Sequence, residues 1–197
     1  MRTLTPHLSV GFAASLSLLA TSCADPVPPP AQGAVYYYIH DVSGCHAQAH
    51  PQSIPVSPTS EPTVTATGSN GLRVVNGVQG ATVSCRVAPA AGGKFDVSAS
   101  LQVANGQFTV AGTVTPGTSN SPGQVSINDT ITVTTVSGDL GDCTIDTDPK
   151  SGATKFHVEA GSIWASVTCS KFAPPGASGV ACTLGPSYFT FQNCASE

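Results

Sequence analysis

His157 and Glu159 stand two residues apart, so on a strand they share a face, and an imidazole beside a carboxylate is the pairing that general-base chemistry uses. A hydrolase built on them also needs a nucleophile, and the chain contains neither G-x-S-x-G nor Ser-x-x-Lys. A second set is "IHDVSGCHAQAH", which holds His40, Asp41, Cys45, His46 and His50; imidazoles bind zinc or copper where several converge. The His46-x-x-x-His50 spacing converges naturally on a helix, whereas Gly44 and Pro51 make this stretch a turn or loop. Asp139, Asp142, Asp146 and Asp148, in "SGDLGDCTIDTDPKSG", gather the hard oxygen ligands that calcium prefers, but without EF-hand spacing. An acidic loop held by Cys143 accounts for them, so neither a metal nor any other cofactor is expected. Tyr36, Tyr38 and Trp164 could form an aromatic platform for a sugar or peptide; strand alternation sends Tyr37 to the face opposite its two neighbours.

The elements that would position these residues read as strands. "AVYYYIHDVSGC", Ala34 to Cys45, is rich in Val and Tyr and closes on a Ser-Gly turn. His46 to Gly71 carries Pro51, Pro55, Pro58 and Pro62 among many Ser and Thr, which predicts a long loop or edge crossing. From there apolar residues alternate: Val83, Cys85 and Val87; Phe95, Val97, Ala99, Leu101 and Val103; then, across an Asn105-Gly106 turn, Phe108, Val110, Gly112 and Val114. The alternation continues through Val125, Ile127, Asp129, Ile131 and Val133, and again through Ile163, Ala165, Val167 and Cys169, with Trp164 on the opposite face. Phe189 and Phe191 close the series. No mature stretch sustains a 3.6-residue apolar period, so the fold class expected is all-β: a single antiparallel β-sandwich over residues 34–197, with a Pro/Ser/Thr-rich loop at about 46–71, stapled by disulfides.

Charged residues are only 9% of the 197, and the formal net charge is −4 without a basic stripe, which excludes nucleic acid as an expected partner. The first 22 residues have the form of an export signal: Arg2, an apolar run from Leu8 to Ala20, then small residues. Directly after them stands Cys23, in "LATSC", and this stretch resembles the lipobox of bacterial lipoproteins. The resemblance implies cleavage before Cys23, its lipidation, and retention of the chain at a membrane. Residues 23–33 then form the lipidated cysteine and a Pro-rich tether, "ADPVPPPAQG", extended to at most about 3.1 Å per residue. The cysteine count agrees with this. Seven cysteines include one odd thiol; with Cys23 acylated, Cys45, Cys85, Cys143, Cys169, Cys182 and Cys194 can form three disulfides in an oxidising compartment. Sequence leaves 15 pairings open, among which proximity favours Cys182 with Cys194.

"GATVSCRVAPAAGGKFDVSASL", "NGQFTVAGTVTPG" and "ASVTC" are similar in order to the elements of LpqH-type lipoprotein antigens, which follow a lipobox and linker with a β-sandwich. That resemblance implies a Cys85–Cys169 bridge; Cys45, Cys143, Cys182, Cys194 and the C-terminal extension depart from it. The function expected is therefore non-enzymatic: a structural or binding module of the cell envelope, anchored by membrane lipid at its N-terminus and facing an extracytoplasmic space, with the outer membrane or cell surface favoured. Its partner would be an envelope protein or glycan. The alternatives are a metal- or carbohydrate-binding module using the sets above, and an extracytoplasmic hydrolase centred on His157 and Glu159.

Overall fold

A computed structural model of the chain describes residues 27–40, 50–59, 61–129, 134–149, 154–174 and 182–197. Cys23, Cys45 and His46 lie outside them, as do Asp41, Ile131 and Val133. The chain is all-β and antiparallel, with no α-helix among the described residues. Its strands are β1 (Gln32–His40), β2 (His50–Ile54), β3 (Val74–Val75), β4 (Thr82–Ala90), β5 (Lys94–Val103), β6 (Gly106–Val114), β7 (Ser121–Asp129), β8 (Thr134–Asp146), β9 (His157–Glu159), β10 (Ser162–Phe172) and β11 (Cys182–Gln192). They form one continuous sheet in the order β2-β1-β11-β10-β8-β7-β6-β5-β4, with β3 on β1 and β9 on β10, and the sheet curls into a half-barrel.

The division into two sheets that a sandwich would show does not appear, because β8 belongs to both halves. Its Thr134–Gly138 stretch pairs with β7, and Cys143–Asp146 pairs with β10 while still touching the start of β7. Between the two stretches, residues 139–142 leave the ladder opposite Gln124. The alternating sets point inward as their period requires. Val83 and Val87, Val97, Ala99 and Leu101, Phe108, Val110 and Val114, and Val125 and Ile127 are all buried in one core. Aromatic rings from the two halves meet there: Phe108 on β6 lies 5.9 Å from Phe189 on β11, which is 6.2 Å from Phe191. Each such ring, fully buried, contributes about 1.5–3 kcal/mol relative to exposure.

Three boundaries differ from the sequence reading. β1 already starts at Gln32, because Gln32 and Gly33 pair with Gln192 and Phe191 on one side and with Val75 and Val74 on the other. β2 lies inside the segment expected as a long loop or edge crossing, and it is a paired strand at the sheet edge, where Pro51 forfeits no interior ladder hydrogen bond. The β5–β6 hairpin turns through Ala104 and Asn105, with Val103 opposite Gly106, rather than through Asn105-Gly106. Gly106 serves close packing instead: a Cβ there would stand 3.3 Å from the Ile54 methyl and 3.4 Å from the Asn128 carbonyl.

Two disulfides join described residues across the sheet. Cys143 and Cys169 face each other across β8 and β10. Cys85, on the edge strand β4, joins Cys194 in the tail that follows β11. Cys85 is thus not paired with Cys169, nor Cys194 with Cys182. Cys194 passes beyond β11 and returns to the far edge of the sheet, so contacts made by the curl override proximity in sequence. Cys182 is itself disulfide-bonded. Beside Cys194 the tail runs parallel to β4: Val87 N–H donates to the Ala195 carbonyl (2.8 Å), and Ala195 N–H to the Cys85 carbonyl (2.9 Å). The β9–β10 turn completes this seam: Gly161 N–H donates to the Val87 carbonyl, and the Gly161 carbonyl accepts from Cys194 N–H, both at 2.9 Å. Part of the edge of β4 is thereby paired rather than left open. These disulfides indicate an oxidising, extracytoplasmic environment.

Candidate functional site

The outer face of β1 carries Ala34, Tyr36, Tyr38 and His40, since Val35, Tyr37 and Ile39 point into the core. Register places Tyr36 opposite Tyr188 of β11, and their rings stack with centroids 6.3 Å apart and planes 19° from parallel. Phe156 lies 6.3 Å from Tyr188, and Trp164 of β10 joins the same small outer cluster with Ala34 and Val64. Residues 61–70 are stitched over this face: Thr63 Oγ1 donates to the Val35 carbonyl at 3.2 Å, and Trp164 Nε1 donates to the Thr65 carbonyl at 2.8 Å. Of the three aromatic candidates, Trp164 is therefore committed to packing under that segment. Tyr38 sits apart, its ring 4.1 Å from the His40 imidazole in an edge contact. Gly185 makes room for that imidazole, since a Cβ there would meet its Nε2.

Tyr36 alone opens onto a cleft of about 390 Å³, whose other wall is β2 and the segment after it. Gln52, Ser53, Ser57, Thr59 and Glu61 supply amide, hydroxyl and carboxylate groups, and Pro51 and Pro62 supply flat apolar surface. Burial, then the neighbouring Tyr188 and Tyr38, hold the Tyr36 phenol above its ordinary value, so it stays a neutral donor and acceptor. One aromatic face beside short polar side chains is the chemistry that holds a polyhydroxylated ligand by stacking and hydrogen bonding.

His157 and Glu159 come together with a residue that sequence reasoning missed, Ser162. His157 Nε2 is 3.2 Å from Ser162 Oγ, Ser162 Oγ donates to Glu159 Oε1 at 3.0 Å, and His157 Nδ1 lies 2.9 Å from the Lys155 carbonyl. With Nδ1–H donating to that carbonyl, a neutral ring would accept at Nε2 from Ser162. A charged ring would donate there, which lets Ser162 pass its own hydrogen to Glu159. Together the three contacts form a cross-strand polar chain at the tip of the β9–β10 hairpin. The hairpin register, Ser162 opposite Glu159, was the signal that would have found it.

The remaining candidates disperse. Asp142 pairs with Lys171 at 3.9 Å, Asp146 Oδ1 accepts the Asp148 N–H at 2.7 Å, and Asp139 is exposed. Of His50 the backbone, opposite Ile39, is described. Among the described residues no three His, Cys, Asp or Glu side chains converge as metal ligands. A buried polar bridge appears elsewhere: Tyr37 Oη donates to Asp129 Oδ2 at 3.4 Å, and Gln52 Nε2 to Oδ1 at 3.5 Å, both Tyr37 and Asp129 being fully buried. Burial first, then the Asp129 charge and hydrogen bond, push the Tyr37 phenol far above its ordinary range. No protein-family model, curated protein or solved structure matches this chain.

Proposed function

We propose that this chain is a bacterial envelope lipoprotein, held at a membrane by acyl groups on Cys23, whose disulfide-linked half-barrel domain is a non-catalytic binding module for envelope glycan. The observation that carries the binding role is the Tyr36 cleft: a neutral, stacked phenol facing Gln52, Ser53 and Glu61 on the outside of the sheet. The lipobox-type residues before Cys23 support the anchor, and the two disulfides support the compartment. Outer-membrane or surface attachment is part of the same reading, and a Pro-rich tether of this length would keep the domain near whichever membrane holds the anchor.

The test combines two measurements on protein extracted from native membranes. Intact mass should show a chain starting at an acylated Cys23. Sedimentation with purified peptidoglycan sacculi should retain the protein, and Tyr36→Ala should weaken retention by about tenfold or more, as truncating a central aromatic anchor does. Retention unchanged in Tyr36→Ala would reject the cleft. Covalent labelling of Ser162 by a fluorophosphonate would replace the binding role with the hydrolase reading, which rests on the His157–Ser162 contact.

A further inference from the structure

The Tyr36 cleft has a neighbour. A second cleft of about 280 Å³, lined by Thr65, Gly68, Ser69 and Asn70, shares Glu61 and Pro62 with it. Asn70 Nδ2, from the second cleft, donates to Ser57 Oγ, from the first, at 3.4 Å, so the two adjoin both at Glu61 and at this contact. Among the described residues Glu61 is the one charged side chain lining either cleft, and no Lys or Arg faces it there. Its backbone is held in place: Glu61 N–H donates to Thr59 Oγ1 at 3.4 Å, and Thr63 Oγ1, two residues on, is the group bonded to the Val35 carbonyl. The hydroxyls and carboxamides around it are engaged within the chain: Gln52 with Asp129, Ser53 with Thr63, Ser57 with Thr59, Thr65 with Gly68, and Ser69 with Gly71. The Tyr36 phenol and the Glu61 carboxylate make no hydrogen bond or ion pair among the described residues, which leaves these two groups to meet a ligand. A neutral phenol does not discriminate charge. A lone carboxylate does, attracting a cation and repelling an anion.

We propose that the joined clefts take a glycan whose hexosamine units carry free, protonated amines, with an ammonium on Glu61 and ring faces against Tyr36 and Pro62. The inference rests on the glycan reading of the Tyr36 cleft and adds to it the kind of sugar. An N-acetylated unit brings no charge to Glu61, and an acidic glycan sets like charges together, in a chain whose net charge is already −4. A free amine supplies both the cation and the N–H donors that a carboxylate accepts. The flat surfaces of Tyr36, Pro51 and Pro62 suit the faces of sugar rings, which favours a sugar over the flexible stems of a lysine-rich peptide. Glu61 thus acts in selection, and Tyr36 in holding the ring.

Calorimetric titration of the whole mature protein with a glucosamine tetramer, its fully N-acetylated counterpart and tetralysine tests this. The amine tetramer should bind about fivefold more tightly than the acetylated one, the upper range for an exposed ion pair, and added salt should erode that margin. Glu61→Gln keeps the shape at an exposed position, so it should make the two tetramers equal and leave the near-ultraviolet circular dichroism unchanged. Tyr36→Ala should weaken both. Equal binding of the two tetramers by the wild type, or a preference that survives Glu61→Gln, overturns the amine assignment and leaves the glycan reading in place. Tetralysine bound as tightly as the amine tetramer, and indifferent to Tyr36→Ala, overturns it in favour of a cationic peptide. Silence of both tetramers also overturns it, and retention on sacculi then shows whether the glycan reading falls with it.

Discussion

Thr190 shows what one hydroxyl costs when the sheet closes over it. It is fully buried on β11, opposite Ala34 and Trp164, and its Oγ1 has no partner. Thr190→Val keeps the shape and removes the unpaired group, so we expect a gain of about 1 kcal/mol, read as a rise in the urea midpoint at constant slope. Individual residues were only partly legible in the sequence. Alternation put Tyr37 on the face opposite Tyr36 and Tyr38, and Trp164 on the face opposite Ile163 and Ala165, and the structure agrees. It could not tell that Trp164 lies under residues 61–70 or that Tyr36 stacks on Tyr188, since both contacts join segments about 100 or more positions apart. Asp129 was read as part of an inward set from its period, and its burial follows that pattern. Its partner Tyr37, 92 residues away, is set by the curl of the sheet.

At the scale of elements, strands with strict period two were readable because each buries one face, and β4 to β7 appear almost where alternation puts them. Strand order and disulfide pairing were not, because they depend on which edges meet. The clamp between Cys85 and Cys194 closes a loop of sequence separation 109, against 26 for Cys143–Cys169. On the chain-entropy account the first is worth about 4.7 kcal/mol and the second between about 3 and 4 kcal/mol. The paired change Cys85→Ser with Cys194→Ser should therefore lower the urea midpoint more than Cys143→Ser with Cys169→Ser. It should also speed amide exchange at Val87, whose N–H is held by the tail. An equal loss from the two pairs would mean that the tail seam holds without its bridge.

Across the whole molecule, the Tyr37–Asp129 contact ties β1 in one half of the curled sheet to β7 in the other. The Tyr37 phenol titrates above its unfolded value of about 10, so the native chain keeps a proton that the unfolded chain releases. That contribution is present in full below pH of about 10 and falls as pH rises beyond it. Urea midpoints measured from pH 8 to 11 should show this decline, and Tyr37→Phe should flatten it; Tyr36, shifted in the same direction, leaves a smaller residue of the effect. A slope unchanged in Tyr37→Phe would assign the alkaline limb to other groups. The C-terminal seam has a consequence for assembly. A chain exported N-terminus first delivers Cys85, Cys143 and Cys169 to the oxidising side before Cys194 arrives. Oxidation acting early meets thiols whose correct partners are only partly present, and Cys85 must wait for the tail. A chain cut short before Cys194 would thus leave Cys85 without its native partner, free to exchange with another disulfide.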